Sequence, residues 1–177
     1  SRQTVLQNLS HIDDLTGLHN RRGFLLLAEQ QVRLARRQRQ PFLVLFMDLD
    51  QLKYINDTFG HAEGNRALIE AADVLRRCFR QSDLVARFGG DEFAALAHGA
   101  EEADDVALRA RINGALDAVN CRGDRDYPLS FSMGILTCSP HEDTPIEQLL
   151  ERADKLMYRE KGLKHRDGYP HAWSVID

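Results

Sequence analysis

RFGGDEF, residues 87–93, decides the reading: two glycines break an apolar run and two acids follow at once. On either side lie LVARF (84–88) and FAALA (93–97), each long enough for a strand. Glycine reaches the positive φ values that tight hairpin turns need, so the stretch reads as a β-hairpin with Gly89 and Gly90 at its tip. Acids at such a tip project beyond the sheet, where adjacent carboxylates repel each other unless a cation sits between them. Asp91 and Glu92 therefore read as ligands for a hard metal, although the turn alone already accounts for the glycines.

A second supply of carboxylates lies upstream. FLVLFM (42–47) is a continuous apolar run of the kind expected for a strand buried on both faces, and Asp48, Leu49 and Asp50 follow it. Acids at the end of such a strand lie at the sheet edge where α/β folds bind ligands; an aspartate there serves equally well as a cap for the next helix. If the two acidic strand ends converge, they suit Mg²⁺, which takes a few carboxylates plus substrate phosphates. A two-metal site would place one ion on a nucleophilic oxygen and the other on the phosphates. A turn after Asp50 would expose the N–H groups of Gln51 and Leu52 to phosphate oxygens. Lys53 would add charge there, or simply stand on a solvated face.

The rest of the chain alternates helices and strands. Val5, Leu9 and Ile12 suggest a helical lead-in over residues 1–12. A helix over 22–38 carries Leu25, Ala28, Val32 and Ala35 on one face and stops before Pro41. Leu68, Ala72, Leu75 and Phe79 mark a helix over 63–79, and Val106, Ile112, Leu116 and Val119 another over 103–119. LSFSMGILT (129–137) alternates as a strand. Thr144, Pro145 and Glu147 start a last helix that runs through Leu149, Ala153 and Leu156 to about Lys161, with Gly162 as its stop. AWSVI (172–176) reads as a closing edge strand. This order predicts an α/β (α+β) sandwich, a mostly antiparallel central sheet flanked by helices.

Composition narrows the function. A chain of 177 residues, 43% hydrophobic and 28% charged, fits one domain with a real core. Its net charge of -4, with both signs interspersed, argues against charge-driven contact with nucleic acid or a membrane surface. Cys78, Cys121 and Cys138 are odd in number and far apart, which predicts reduced thiols in a cytoplasmic protein. No apolar run approaches the ~20 residues that span a bilayer. A chain opening at Ser1 with VLQNL already at helical spacing raises the expectation of an upstream sensor or anchor. RGD at 122–124 reads as a loop.

Taken together, DDLTGLHNRR (13–22), FMDLDQLKYINDTFGHAEGN (46–65), RFGGDEF, SMG (132–134) and ERADKLMYREK (151–161) resemble, in order and spacing, the GGDEF domain of diguanylate cyclases, which would occupy 13–177. The resemblance implies a fold similar to the adenylyl cyclase and polymerase palm. It also implies an enzyme that condenses two GTP into cyclic di-GMP across a facing homodimer, with Mg²⁺ or Mn²⁺. It makes Asp48, the carbonyl of Leu49 and Asp91 the metal ligands. Glu92 would assist the metal or help deprotonate the 3′-hydroxyl, and Lys53 and Lys161 would hold the phosphates. Asn56 matches the family's guanine-contacting asparagine, and His61 is either a base-site residue or a structural histidine at a helix start. Asn65 stands where the family usually has aspartate, and His165, beside Arg166, where it usually has arginine.

A carboxylate accepts from both N1-H and N2-H of guanine, whereas an amide offers one acceptor and one donor, so Asn65 implies weaker or relaxed base choice. Arg80 to Asp83 spells RxxD and, with Arg111, resembles the family's inhibitory product site; an arginine reads guanine O6 and N7 together. Two alternatives to the cyclase stay open: a module that binds GTP or cyclic di-GMP without turnover, and a cyclase of relaxed base choice.

Overall fold

The computed structural model describes residues 10–99 and 104–167. The expected sandwich is there. Helix α1 (Arg21–Arg37) leads into β1 (Phe42–Leu49), then α2 (Leu52–Phe59), α3 (His61–Cys78), the hairpin β2 (Leu84–Gly89) and β3 (Glu92–His98), α4 (Asp104–Asn120), β4 (Phe131–Cys138) and α5 (Ile146–Asp167). The four strands pair antiparallel in the order β2-β3-β1-β4.

Strand alternation sorts the core into two layers. Leu43, Leu45, Met47 and Leu49 of β1 face Leu68, Leu75, Ile112 and Leu116 of α3 and α4. Phe42, Val44 and Phe46 face Phe24, Val32, Leu149 and Ala153 of α1 and α5. With both faces covered, β1 is buried along its whole length, as its continuous apolar run requires.

Each outer strand is bound by non-sheet groups near the acidic end. Beside β2, residues 10–20 form a strap in which His19 accepts from Arg87 N at 2.9 Å. Beyond β4, Glu160 accepts from Met133 N at 2.5 Å, Arg109 donates to Met133 O at 3.3 Å, and Lys164 donates to Phe131 O at 2.6 Å.

Several sequence expectations need correction. Residues 10–12 are not helical, and Ile12 bridges His19 in the strap; residues 1–9 of the lead-in and the AWSVI strand lie outside the described residues. LKYINDTF forms a helix of its own, α2, separated from α3 by Gly60. Val106 is 69% exposed, and Leu108 takes the core position instead. The last helix does not stop at Gly162 but continues to Asp167, because Lys164, past the glycine, is anchored on β1 and β4.

Candidate functional site

The hairpin does what its glycines predict. Gly89 (φ 140) and Gly90 (φ 50) take the backbone through the turn, with a register shift between Arg87 and Gly89. Arg87 braces it from outside, donating from Nε and Nη2 to Gly90 O at 3.1 and 2.9 Å and from Nη1 to Asp13 Oδ1 at 3.1 Å. Asp13 also accepts from Thr16 N and Oγ1 at 3.0 and 2.7 Å. The strap motif DDLTGL is thus a brace for the acidic turn. Leu49 N donates to Asp91 O at 2.8 Å, tying the turn to the end of β1.

That bond, together with the register that sets Asp48 opposite Glu92 and Ser132, brings the two predicted acidic strand ends together. Asp48 is buried and accepts from Lys161 Nζ at 2.6 Å through Oδ2. Its Oδ1 is buried without a hydrogen-bond donor, and the Asp91 carboxyl stands beside the Asp48 side chain. Burial first, then Asp91, push the Asp48 carboxyl up to about 7, although Lys161 pulls the other way. Glu92 is also raised, by partial burial and then by the charges of Asp91 and Asp154. Burial opposes the charge on Lys161, but Asp48, with Asp91 and Asp50, outweighs it and raises the lysine.

Asp50 has a different role from its neighbour. Its side chain is fully buried and accepts from Ser130 Oγ and Ser132 Oγ, both at 2.6 Å, and from Lys164 Nζ at 2.8 Å. It clasps β1, β4 and α5 together. Neither aspartate caps α2, whose N-cap is Gln51 at φ 62 with no side-chain cap bond. This left-handed residue turns the chain sharply out of β1, and the N–H groups of Gln51 and Leu52 find no acceptor among the described residues. Lys53 is exposed on the first turn that follows.

α5 delivers its lysines by lying directly on β4. A Cβ at Gly134 would stand 1.9 Å from Ala153 O and 2.5 Å from Met157 N, so only glycine admits the helix at this distance. Lys164, Ser130 and Ser132, the partners of Asp50, escaped the sequence reading, as did the Asp13–Arg87 brace. Lys164 was findable, since i and i+3 share a helix face with Lys161. His165 and Arg166 are exposed beyond it.

Asn56 on α2 packs against the first turn of α3, where a Cβ at Gly64 would strike its Oδ1. His61 and Asn65 are exposed on that turn. At the opposite end of the sheet, Arg80, Asp83 and Arg111 line one pocket with Phe79, Cys78 and His98. Asp83 accepts from Arg80 N at 2.9 Å and His98 N at 3.2 Å, and Arg111 Nη1 donates to Cys78 O at 3.0 Å.

Two carboxylates, one of them with an orphaned buried oxygen, fit a divalent cation whose remaining positions come from backbone, water or phosphate. Among the described residues, no group of three His, Cys, Asp or Glu side chains is placed to hold a metal alone.

Comparison with known proteins agrees with this geometry. The family model described as "Diguanylate cyclase, GGDEF domain" matches residues 10–166. Diguanylate cyclase DgcP of Escherichia coli is 37% identical over 163 residues, which cover 91% of this chain and 47% of that protein. The chain thus spans about half or less of the curated relatives it matches. The structure of the GGDEF domain of TpbB from Pseudomonas aeruginosa is 39% identical with a TM-score of 0.78, covering 86% of this chain and 90% of that one. A microbial GGDEF domain studied with cyclic di-GMP is 34% identical with a TM-score of 0.71, covering 85% and 92%. On its matched sequence, its fold and the acids its hairpin presents, the chain belongs to the diguanylate cyclase GGDEF domain family.

Proposed function

We propose that this chain is a diguanylate cyclase domain that joins two GTP into cyclic di-GMP, each copy holding one nucleotide in a facing dimer. The observation that carries this reading is the buried, unpartnered Oδ1 of Asp48 beside Asp91. In each half-reaction the 3′-hydroxyl of one nucleotide forms a bond to the α-phosphorus of the other, and the bond from that phosphorus to the pyrophosphate oxygen breaks. Two such steps release two pyrophosphates.

The residues divide the work by position. Asp48, Asp91 and the Leu49 carbonyl would hold Mg²⁺ or Mn²⁺, with Glu92 in support; the ion supplies concentrated positive charge to the phosphate oxygens. The Gln51 and Leu52 N–H groups, unpaired among the described residues, bind phosphate oxygens, and Lys53 adds its charge. Glu92, raised above the usual carboxylate range, is suited to take the 3′-hydroxyl proton. Lys161 is the counter-charge of Asp48 in the absence of ligand and turns to the triphosphate when the nucleotide enters. Asn56 and Asn65, with His61 beside them, meet the base. Cyclic di-GMP binds at Arg80, Asp83 and Arg111 and inhibits. An upstream segment supplies the input signal.

Mass analysis of products after incubation with GTP and Mg²⁺ tests the reading. Cyclic di-GMP is expected, and bound but unconverted GTP would favour a binding module. Asn65 supports relaxed base choice as a second reading, since losing a charge-assisted bond to guanine costs about 1.5 to 3 kcal/mol. Selectivity for GTP over ATP should then sharpen in Asn65→Asp; equal selectivity removes that reading.

A further inference from the structure

The corner between α2 and α3 carries the residues assigned above to the base; its inner face is packed on the core, but the first turn of α3 lacks a side-chain cap. Gly60 joins the helices at φ 94 and gives α3 no side-chain cap. Asn65 is exposed on the first turn of α3, and Asn56 reaches that turn only by lying over Gly64. An uncapped first turn frays unless something outside the helix holds it.

That grip comes from residues 121–130, between α4 and β4. The hydroxyl of Tyr127, a residue only 4% exposed, donates to Glu63 Oε2 at 2.8 Å and lies 3.2 Å from Glu63 O. Its ring centroid sits 5.2 Å from that of Phe59, the last residue of α2, so one side chain touches both helices. Arg125, whose side chain is 3% exposed, reaches Glu70 Oε2 at 2.5 Å, further along α3. It also donates to Asn120 Oδ1 at 3.2 Å and Tyr127 O at 3.4 Å, and its guanidinium carbon lies 5.9 Å from the centre of the Tyr127 ring. Asn120 in turn binds Leu129 N and Leu129 O at 2.8 and 2.9 Å. Burying an arginine and a tyrosine in an irregular segment is costly unless each polar group is paired, and here the pairs point at α3.

We propose that Tyr127, supported by Arg125, is a positioning residue for the base: it holds the first turn of α3 against Asn56, so that Asn56 and Asn65 present one fixed edge to a purine. The inference rests on the base-site reading above. Tyr127 acts through Glu63 and meets α2 only at Phe59, its last residue, whereas the groups assigned to the metal and the triphosphate lie at the end of β1, in the hairpin turn, on the first turn of α2 and on α5.

The test is calorimetric binding, with Mg²⁺, of 3′-deoxy-GTP, which lacks the attacking hydroxyl, and of inorganic triphosphate. Tyr127→Phe keeps the ring and removes only the hydroxyl. It is expected to weaken 3′-deoxy-GTP about three- to tenfold while leaving triphosphate unchanged. Glu63→Ala should show the same loss, the double variant no more than either single one, and Glu63→Gln, whose amide oxygen still accepts, little loss. A parallel loss of triphosphate affinity in Tyr127→Phe would show a general structural effect and overturn the proposal. So would unchanged 3′-deoxy-GTP binding in Tyr127→Phe while Asn56→Ala weakens it. If Asn56→Ala itself binds 3′-deoxy-GTP normally, the base-site reading fails, and the positioning role with it.

Discussion

β1 joins two places built around a carboxylate, and they are built in opposite ways. At its C-terminal end Asp48 is buried with one oxygen lacking a donor, faces a second carboxylate, and leans on a single lysine. At the other end, about 20 Å away along the strand, Phe42 pairs with His98, and there Asp83 has each oxygen bound to a backbone N–H. The first end is electrostatically incomplete, with a buried carboxylate oxygen that no donor reaches. The second is already satisfied; its carboxylate fixes the shape of the turn, and Arg80 lines the pocket beside it.

The sharpest way to break this comparison is Asp91→Asn, which removes charge from the incomplete end alone. Turnover of GTP should fall about a hundredfold or more, while calorimetry finds cyclic di-GMP binding at the far end intact; loss of both would couple the ends. Arg80→Ala is the converse. Affinity for cyclic di-GMP should drop about ten- to a hundredfold, as expected for a lost bond to a charged group, with product formation at low turnover unchanged.

Lys161→Met separates two roles of one side chain. Nucleotide affinity should fall, whereas Mn²⁺ alone, followed by its paramagnetic resonance, should bind about fivefold more tightly, because a competing cation has left Asp48. Weaker Mn²⁺ binding would show that Lys161 helps to build the metal site.

The smallest effect is in pH. Asp48 is raised to about 7 from an ordinary 3.8, so the folded state holds a proton that the unfolded chain has released. This contribution to stability is fully present below about pH 4 and is lost as pH rises through 7. A divalent cation competes with that proton. The rise in Tm given by Mg²⁺ should therefore be larger at pH 8 than at pH 5, and equal shifts would place the ion elsewhere.

The elements readable from the sequence were those governed by local rules. GG followed by two acids admits few conformations other than a turn, and a continuous apolar run of strand length before MDLD leaves the acids at a sheet edge. Unread were features set by distant partners. Gly162 looked like a stop, but Lys164 beyond it gains Asp50 and Phe131 O, which outweighs the glycine's helix penalty of about 1 kcal/mol. Leu52, Ile55 and Phe59 had helical spacing, yet eight residues are too few to argue from periodicity alone. Strand pattern alone does not separate Asp48 from Asp50, since alternation puts both on one side of the strand; the structure does so through Ser130, Ser132 and Lys164.

The strap along β2 and the side chains along β4 have a consequence for association. A bare outer strand is a template on which a neighbouring chain can add its own, and such growth has no natural limit. Near the acidic end, Arg87 N, Met133 N, Met133 O and Phe131 O are already engaged, so a second copy finds no backbone ladder to extend there. In the facing dimer proposed above, copies would therefore meet through side chains and bound nucleotide, and their encounter would be reversible and responsive to substrate supply.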